Sequence, residues 1–485
     1  MTMRQHGRST DEVLDELGTR HSTDVPTHGG RTWAYVYDSG LPDLDATMDA
    51  ARSMYAAVNG LDPTVFSSIV ALENEVVGAV LDLTQAPDGA VGTFTSGGTE
   101  SCMLAVKAAR DARPEVTQPN LVAPTTVHAA FVKGCEYFGL DMRLVQVDPH
   151  TFRADPAAVA AAMDDDTVLV VCSAVSYAHG VCDPVPEIAA LSASRGVPCH
   201  VDGCIGGWVL GWWRRLGIAV PPWDFSVDGV TSISVDLHKY AYTSKGASTL
   251  LFREPDLRRA SYFASADWPG YAMINTTMQS TKSAGPLAAA WAAFEHIGDD
   301  GYRELARRTH EATTALVERL AGIPGLGVLG TPDASLVAVA SDDPDVDVFV
   351  VADEMRERGW YVQPQFAYLD LPRNLHLTVT AASLPNVDAL LSDLADSVAA
   401  ARSAPSAEPA PDLVQVARSL DPSTLTREEF AGLLAFAGLD PSSVAGTGLP
   451  MRMAGVNHLL EVMPPRLRER ILSEFIGLLY TPVRG

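Results

Sequence analysis

Apolar positions along the chain follow first a helical period and then two alternating ones. Over residues 10–20, Val13, Leu14 and Leu17 share one helix face, with Ser9 or Thr10 placed to cap it. Residues 21–40 carry no period and are rich in glycine and aromatics, among them Trp33, Tyr35 and Tyr37. Helical spacing returns over 43–58 and 65–83, the second through Ile69, Leu72, Val76, Val77 and Val80. From Gly92 onward, short apolar runs alternate with amphipathic ones. Helices are predicted over 97–113, 128–138, 155–163 and 184–195, the last between Pro184 and Gly196. Strands are predicted over 121–123, 142–147, 167–173, 197–202, 230–235 and 247–252. This alternation predicts an α/β fold with a mostly parallel sheet covered by helices, and ligands at the carboxyl ends of its strands.

Beyond it, helices over 286–297 and 300–320 lead into a smaller α+β unit. Its strands are predicted at 336–340, 361–363 and 375–380, and a helix over 387–402 closes it. Residues 403–412 form a Pro/Ala-rich linker. An all-helical extension follows. Thr426-Arg-Glu-Glu429 reads as a capping box ahead of a helix over 430–439, and Pro464-Pro465 precedes a helix over 467–480. The expected organisation is an N-terminal arm (1–75), a large domain (76–295), a small domain (296–402), the linker and the extension (413–485).

The 485 residues allow two to four domains. A formal charge of −25 argues against nucleic-acid or anionic-membrane partners, which need a basic surface. The six cysteines form no Cys-x-x-Cys pair and sit mostly in apolar runs, so they read as reduced core thiols of a cytoplasmic protein. The polar N-terminus shows no secretory signal, and no apolar run approaches the length of a membrane span.

The chemistry centres on residues 230–252. A strand ends in Asp236-Leu-His238-Lys239, a polar turn follows, and a second strand closes the segment. A lysine there is either a solvated loop residue or the amine that joins an aldehyde cofactor as a Schiff base. For the second role it must be desolvated or set near cations, which His238 and Lys245 can supply. Thr95-Ser96-Gly97-Gly98-Thr99-Glu100-Ser101 precedes a helix, either as an ordinary cap or as an anion cradle for a cofactor phosphate. Asp202 ends an apolar strand, where it either caps the chain or pairs with a pyridine nitrogen. His128 opens a helix and can lie on a cofactor ring or serve only the fold. Ser176 can bond a ring hydroxyl or simply shape a turn, and His179 reads as a turn residue. Together these are the parts of a pyridoxal 5'-phosphate site. No metal site is read from the sequence.

In this order, these residues resemble fold-type-I (aspartate-aminotransferase-like) pyridoxal-phosphate enzymes of the group II decarboxylase superfamily, and within it the sphingosine-1-phosphate lyases. The resemblance covers roughly residues 30–400. It rests on TSGGTES (95–101), HAAFVKGCEYFGL (128–140), the 179–208 stretch around HVDGC, SVDLHKYAYTSKG (234–246), and RGWYVQPQ with LHLTVT (358–380). It implies that Lys239 is the Schiff-base lysine, Asp202 the pyridinium partner and His128 the ring-stacking residue. Ser96, Gly97, Gly98 and Thr99 hold the phosphate with His238 nearby. Lys245 matches a second lysine near the reacting end of the substrate, and Tyr37 a tyrosine of the family's N-terminal Ser-Gly-x-x-Tyr segment. It also implies a homodimer with shared active sites.

The substrate half departs from the family. Where the lyases carry a phosphate-binding histidine, this chain has Asp62 in Asn59-Gly60-Leu61-Asp62, and their Gly-Ser-Arg loop is Thr281-Lys282-Ser283. An acid repels a phosphate dianion. The expected substrate is therefore a small amino compound other than a phosphorylated sphingoid base, contacted by Tyr37, Asp62, Lys245 and Lys282. The expected reaction is retro-aldol carbon–carbon cleavage. The alternatives are amino acid decarboxylation and a non-catalytic cofactor-binding protein.

Overall fold

The computed structural model describes residues 3–436 and 451–482. The first helix, α1 (Thr10–His21), starts at Ser9, which shares a full capping box with Glu12. Its Val13, Leu14 and Leu17 face is solvent-exposed. Helices α2 (Leu44–Met54) and α3 (Ser68–Leu83) follow, each a few residues shorter than the spacing predicts.

The large sheet begins with β1 (Val91–Thr95), a strand the periodicity does not announce. In chain order there follow α4 (Gly98–Asp111), β2 (Asn120–Pro124), α5 (Ala129–Phe138), β3 (Asp141–Val145), α6 (Pro156–Ala162) and β4 (Thr167–Ser173). The second half is α7 (Val185–Ser194), β5 (Cys199–Asp202), α8 (Gly206–Arg215), β6 (Val230–Val235) and β7 (Ser248–Phe252). The strand order is β1-β7-β6-β5-β4-β2-β3. Strands β6, β5, β4, β2 and β3 run parallel, whereas β7 is antiparallel to both β6 and β1. Helices cover both faces, which is why β4 reads as a nearly continuous apolar run. Register sets Ser173 beside Asp202, and Asp202 beside Ser234, at the carboxyl edge.

Next come α9 (Pro255–Ala260) and an exposed hairpin of β8 (Phe263–Ser265) and β9 (Met273–Asn275). The two helices expected over 286–297 and 300–320 are present as the two arms of α10 (Gly285–Leu320), which meet at Gly298, non-helical at φ 63°. The smaller unit is built from β10 (Gly327–Val328), β11 (Leu336–Ala340), α11 (Val348–Glu357), β12 (Gln363–Gln365), β13 (Asn374–Thr378) and α12 (Val387–Ser403). Its strands form an antiparallel sheet, β10-β11-β13-β12. Trp33 from the N-terminal arm, Phe349 and Trp360 fill its core.

The extension contributes α13 (Pro411–Ser419), α14 (Arg427–Phe436), α15 (Ala454–Val462) and α16 (Pro465–Leu479). The Thr426–Glu429 capping box forms, with Thr426 N–H donating to Glu429 Oε2 at 2.8 Å. Residues 437–439 of the helix expected over 430–439 lie outside the described residues. Leu413, Phe430, Leu433, Leu459 and Leu467 give this unit a small core of its own. All six cysteines are free and buried. Among the described residues no helix is long and apolar enough to cross a membrane.

Candidate active site

The turn after β6 folds back on β7 because the N–H groups of Leu237 and His238 both donate to the Ala247 carbonyl, at 3.1 and 3.0 Å. This sets Lys239 on the wall of a cavity of about 390 Å³ at the carboxyl edge of the sheet. Lys239 Nζ donates to Asp236 Oδ2 at 2.9 Å. Burial alone would lower the Lys239 ammonium, but the Asp236 charge outweighs it and the net direction is upward. Burial also pushes Asp236 up, yet Lys239 and His238 hold its carboxyl below the ordinary range. The expectation that His238 and Lys245 keep the amine unprotonated is therefore corrected, since its nearest charge is an acid. His238 is itself pushed down, by burial first. Its Nδ1 accepts from Ala247 N–H at 3.3 Å, so its proton sits on Nε2.

Asp202, only 7% exposed, lines the same cavity. Its Oδ1 accepts from Cys204 N–H at 3.0 Å. The sulfurs of Cys102 and Cys204 and an Asp202 oxygen lie within 4.8 Å of one another. Burial foremost keeps the Cys102 thiol protonated, and the bond to Cys102 foremost does so for Cys204.

Ser96, Gly97, Gly98 and Thr99 lead into α4 and line the same cavity. The first amides of a helix have no intrahelical acceptor and point at whatever lies there. Gly98 has to be glycine: a Cβ would stand 2.7 Å from Asp236 Oδ2 and 2.9 Å from Cys204 Sγ. Asp236 Oδ1 is buried without a hydrogen-bond partner. The Glu100 carboxylate is turned away, taken up by the N–H groups of Ser96 and Met278 at 2.6 and 2.8 Å.

His128 caps α5, its Nδ1 accepting from Ala130 N–H at 3.2 Å, and its ring faces the cavity. Ser176 does not line the cavity. From the end of β4 onward, Ser173, Val175 and Tyr177 line the wall and Ser176 Oγ is buried without a partner. Tyr37 packs edge-on against Tyr240, and Lys245 Nζ sits 4.9 Å from the Tyr37 ring centre. Burial pushes the Tyr37 phenol up. Burial and the Lys239 charge push Lys245 down to about 8, although its side chain keeps solvent contact.

Lys245 also lines a neighbouring cavity of about 410 Å³, together with Ser96, Lys282 and Arg52. Lys282 Nζ donates there to Thr277 Oγ1 at 3.2 Å. Asp62 lines neither cavity. Its Oδ1 accepts from Thr64 N–H and Oγ–H at 2.9 and 2.6 Å, closing a local turn. The expected substrate contact at Asp62 is thus corrected within this chain.

Three residues were not singled out from the sequence. Asp236 left a signal, an acid three positions before a lysine at a strand end. Tyr177 and Arg52 left none, because only the fold brings them to the cavities.

Residues 36–323 match the pyridoxal-dependent decarboxylase conserved domain. Residues 411–478 match a C-terminal helix-turn-helix domain described for pyridoxal-dependent enzymes. A sphingosine-1-phosphate lyase of Dictyostelium discoideum is 39% identical over 352 residues, covering 72% of this chain and 65% of the relative. One of Arabidopsis thaliana is 38% identical over 404 residues, covering 81% and 73%. The solved structure of a sphingosine-1-phosphate lyase of Burkholderia pseudomallei superposes with a TM-score of 0.78 at 32% identity, covering 83% of this chain and 93% of that one. The chain thus spans as little as 65% of the length of the curated relatives it matches.

Proposed function

Because the chain belongs to the pyridoxal-dependent decarboxylase family, whose cofactor is pyridoxal 5'-phosphate, we propose that it is a carbon–carbon lyase of the retro-aldol type acting on a small β-hydroxy amine. One observation carries the reading: the Lys239 amine, the Asp202 carboxylate and the N-terminus of α4 converge on one cavity.

The residues present fit this cofactor. The glycine cradle at Gly98 and the α4 amides suit the phosphate. Asp202 would pair with the ring nitrogen and keep it protonated, and Lys239 shares the cavity with both. Bound there, the cofactor supplies an electron sink for the charge left when a bond to the substrate α-carbon breaks. The chain's own groups do the rest. Asp236 holds the Lys239 amine in place across 2.9 Å. His128 covers the ring and offers Nε2–H to the cavity. Retro-aldol cleavage needs a base for the β-hydroxyl proton. Tyr37 stays protonated because burial raises it, so it orients the substrate, and Lys245, lowered to about 8, is the base.

The expectation that a phosphorylated substrate is repelled loses its ground once Asp62 is turned onto Thr64. Arg52, Lys245 and Lys282 around the neighbouring cavity instead favour an amine carrying an anionic group. The same three cations give the second reading, amino acid decarboxylation, in which one of them faces the substrate carboxylate. The exposed face of α1 and the exposed aromatics of the 263–275 hairpin support a homodimer. Six free, buried cysteines support a cytoplasmic setting.

The test is a panel of amino acids and β-hydroxy amines, with and without phosphate, assayed from pH 6 to 10 with identification of the released fragment. Aldehyde release is expected, with kcat rising through about pH 8 as Lys245 loses its proton and levelling above it. Lys245→Met should remove that limb and lower kcat by about 10²–10⁴-fold. Carbon dioxide without aldehyde would replace the lyase reading with the decarboxylase one.

A further inference from the structure

The loop 366–373 joins β12 to β13 and walls a third cavity of about 380 Å³, opposite Thr126, His128 and Tyr177. His128 and Tyr177 also line the cavity of Lys239. A substrate group extending from Lys239 past His128 therefore meets Phe366, Tyr368 and Leu371. The loop closes on itself through Tyr368 and Leu371, whose backbones exchange bonds of 3.0 and 2.9 Å.

The loop is gripped by the C-terminal extension. Glu461 Oε1 accepts from Ala367 N–H at 2.7 Å, and its Oε2 pairs with Arg373 at 2.8 Å. One carboxylate, its side chain only 9% exposed, thus holds both ends of the loop. The Arg468 guanidinium lies 4.9 Å from the Phe366 ring centre and bonds the carbonyls of Leu460 and Glu461. His458 donates through Nε2 to Asp347, which leaves Nδ1 to accept from Arg373 at 3.2 Å. Helix α15 is itself anchored, since the N–H groups of Met453 and Ala454 donate to the two Asp353 oxygens at 2.8 and 2.9 Å.

We propose that the extension is a positioning brace for the active site: Glu461, His458 and Arg468 fix the 366–373 loop against His128 and Tyr177, and so set which side chain the substrate amine carries. The amine substrate rests on the function proposed above, whereas the grip on the loop does not. A nucleic-acid role fits poorly. Residues 411–478 hold eight acids against six arginines. Arg468 faces inward, and Arg470 pairs with Glu474 at 2.6 Å.

The test uses the full-length holoenzyme as wild type, Glu461→Ala and Glu461→Gln. Amide hydrogen exchange over 366–373 is read by mass spectrometry. Affinities for ethylamine and phenethylamine are read from the cofactor's visible absorption. Glu461→Ala should speed exchange in the loop about tenfold or more, and leave β4 to β6 unchanged. It should weaken phenethylamine about tenfold and ethylamine less than twofold. Gln keeps an acceptor for Ala367 N–H and should restore part of both effects. Unchanged loop exchange, or an equal loss for both amines, would overturn the brace. If neither amine perturbs the absorption even in the wild type, the cofactor reading fails, and the exchange rates still decide the brace.

Discussion

Lys239→Ala is expected to lower turnover by about 10⁴-fold or more and to abolish the visible absorption of lysine-bound cofactor. The lysine is the primary amine on the wall of the cavity that Gly97, Gly98 and Asp202 also line. Lys245 reaches instead toward Tyr35 O, at 3.2 Å. The same change strands Asp236, a carboxylate only 2% exposed, without its ion-pair partner. Removing one member of a buried pair costs about 3–5 kcal/mol, so the alanine variant should also melt lower. Because Lys239 is a main cause of the low Asp236 pKa, the stability the pair contributes is present above the carboxyl's unfolded pKa and is lost as pH falls through its folded one. The alanine variant should therefore lose most near neutral pH and least in acid. Lys239→Gln keeps a donor for Asp236. Lost turnover with near-native melting in that variant would separate the chemistry from the fold.

Asp202→Asn is expected to lower kcat by about 10²–10³-fold, roughly 3–4 kcal/mol, while the protein stays folded and still takes up cofactor. Asparagine keeps an oxygen for the Cys204 N–H, so the end of β5 is preserved. What it loses is the negative charge that holds a proton on the ring nitrogen, and with it the electron sink. A stopped assay beside an absorption spectrum checks both halves. Full activity in this variant would mean that Asp202 is only a strand-end cap.

The sheet was legible where burial makes the chain uniform. Strands β4 and β11 fall on the apolar runs that predict them, because both faces are covered. Helix α8 is not among the predicted helices: Gly206, Gly207 and Gly211 are poor helix formers. The fold needs them for close packing: a Cβ on Gly206 would stand 2.4 Å from the Ala174 carbonyl oxygen, and one on Gly211 would stand 2.7 Å from Leu83. The cofactor half of the site was legible because each part sits at an element end with its own local pattern. Ser176 is its exception, since it does not line the cavity. On the substrate side Lys245 and Lys282 share the neighbouring cavity, whereas Asp62 does not line it, and Arg52 and Tyr177 reach their cavities from distant elements. The role of the extension was equally hidden, since Glu461 and Ala367 are 94 residues apart.

The most direct test is to reduce the wild-type holoenzyme with borohydride, digest it and locate the phosphopyridoxyl group by mass spectrometry. A single adduct on Lys239 is the expected result. An adduct on Lys245 or Lys282, or none at all, would contradict the assignment of the active site to the turn after β6.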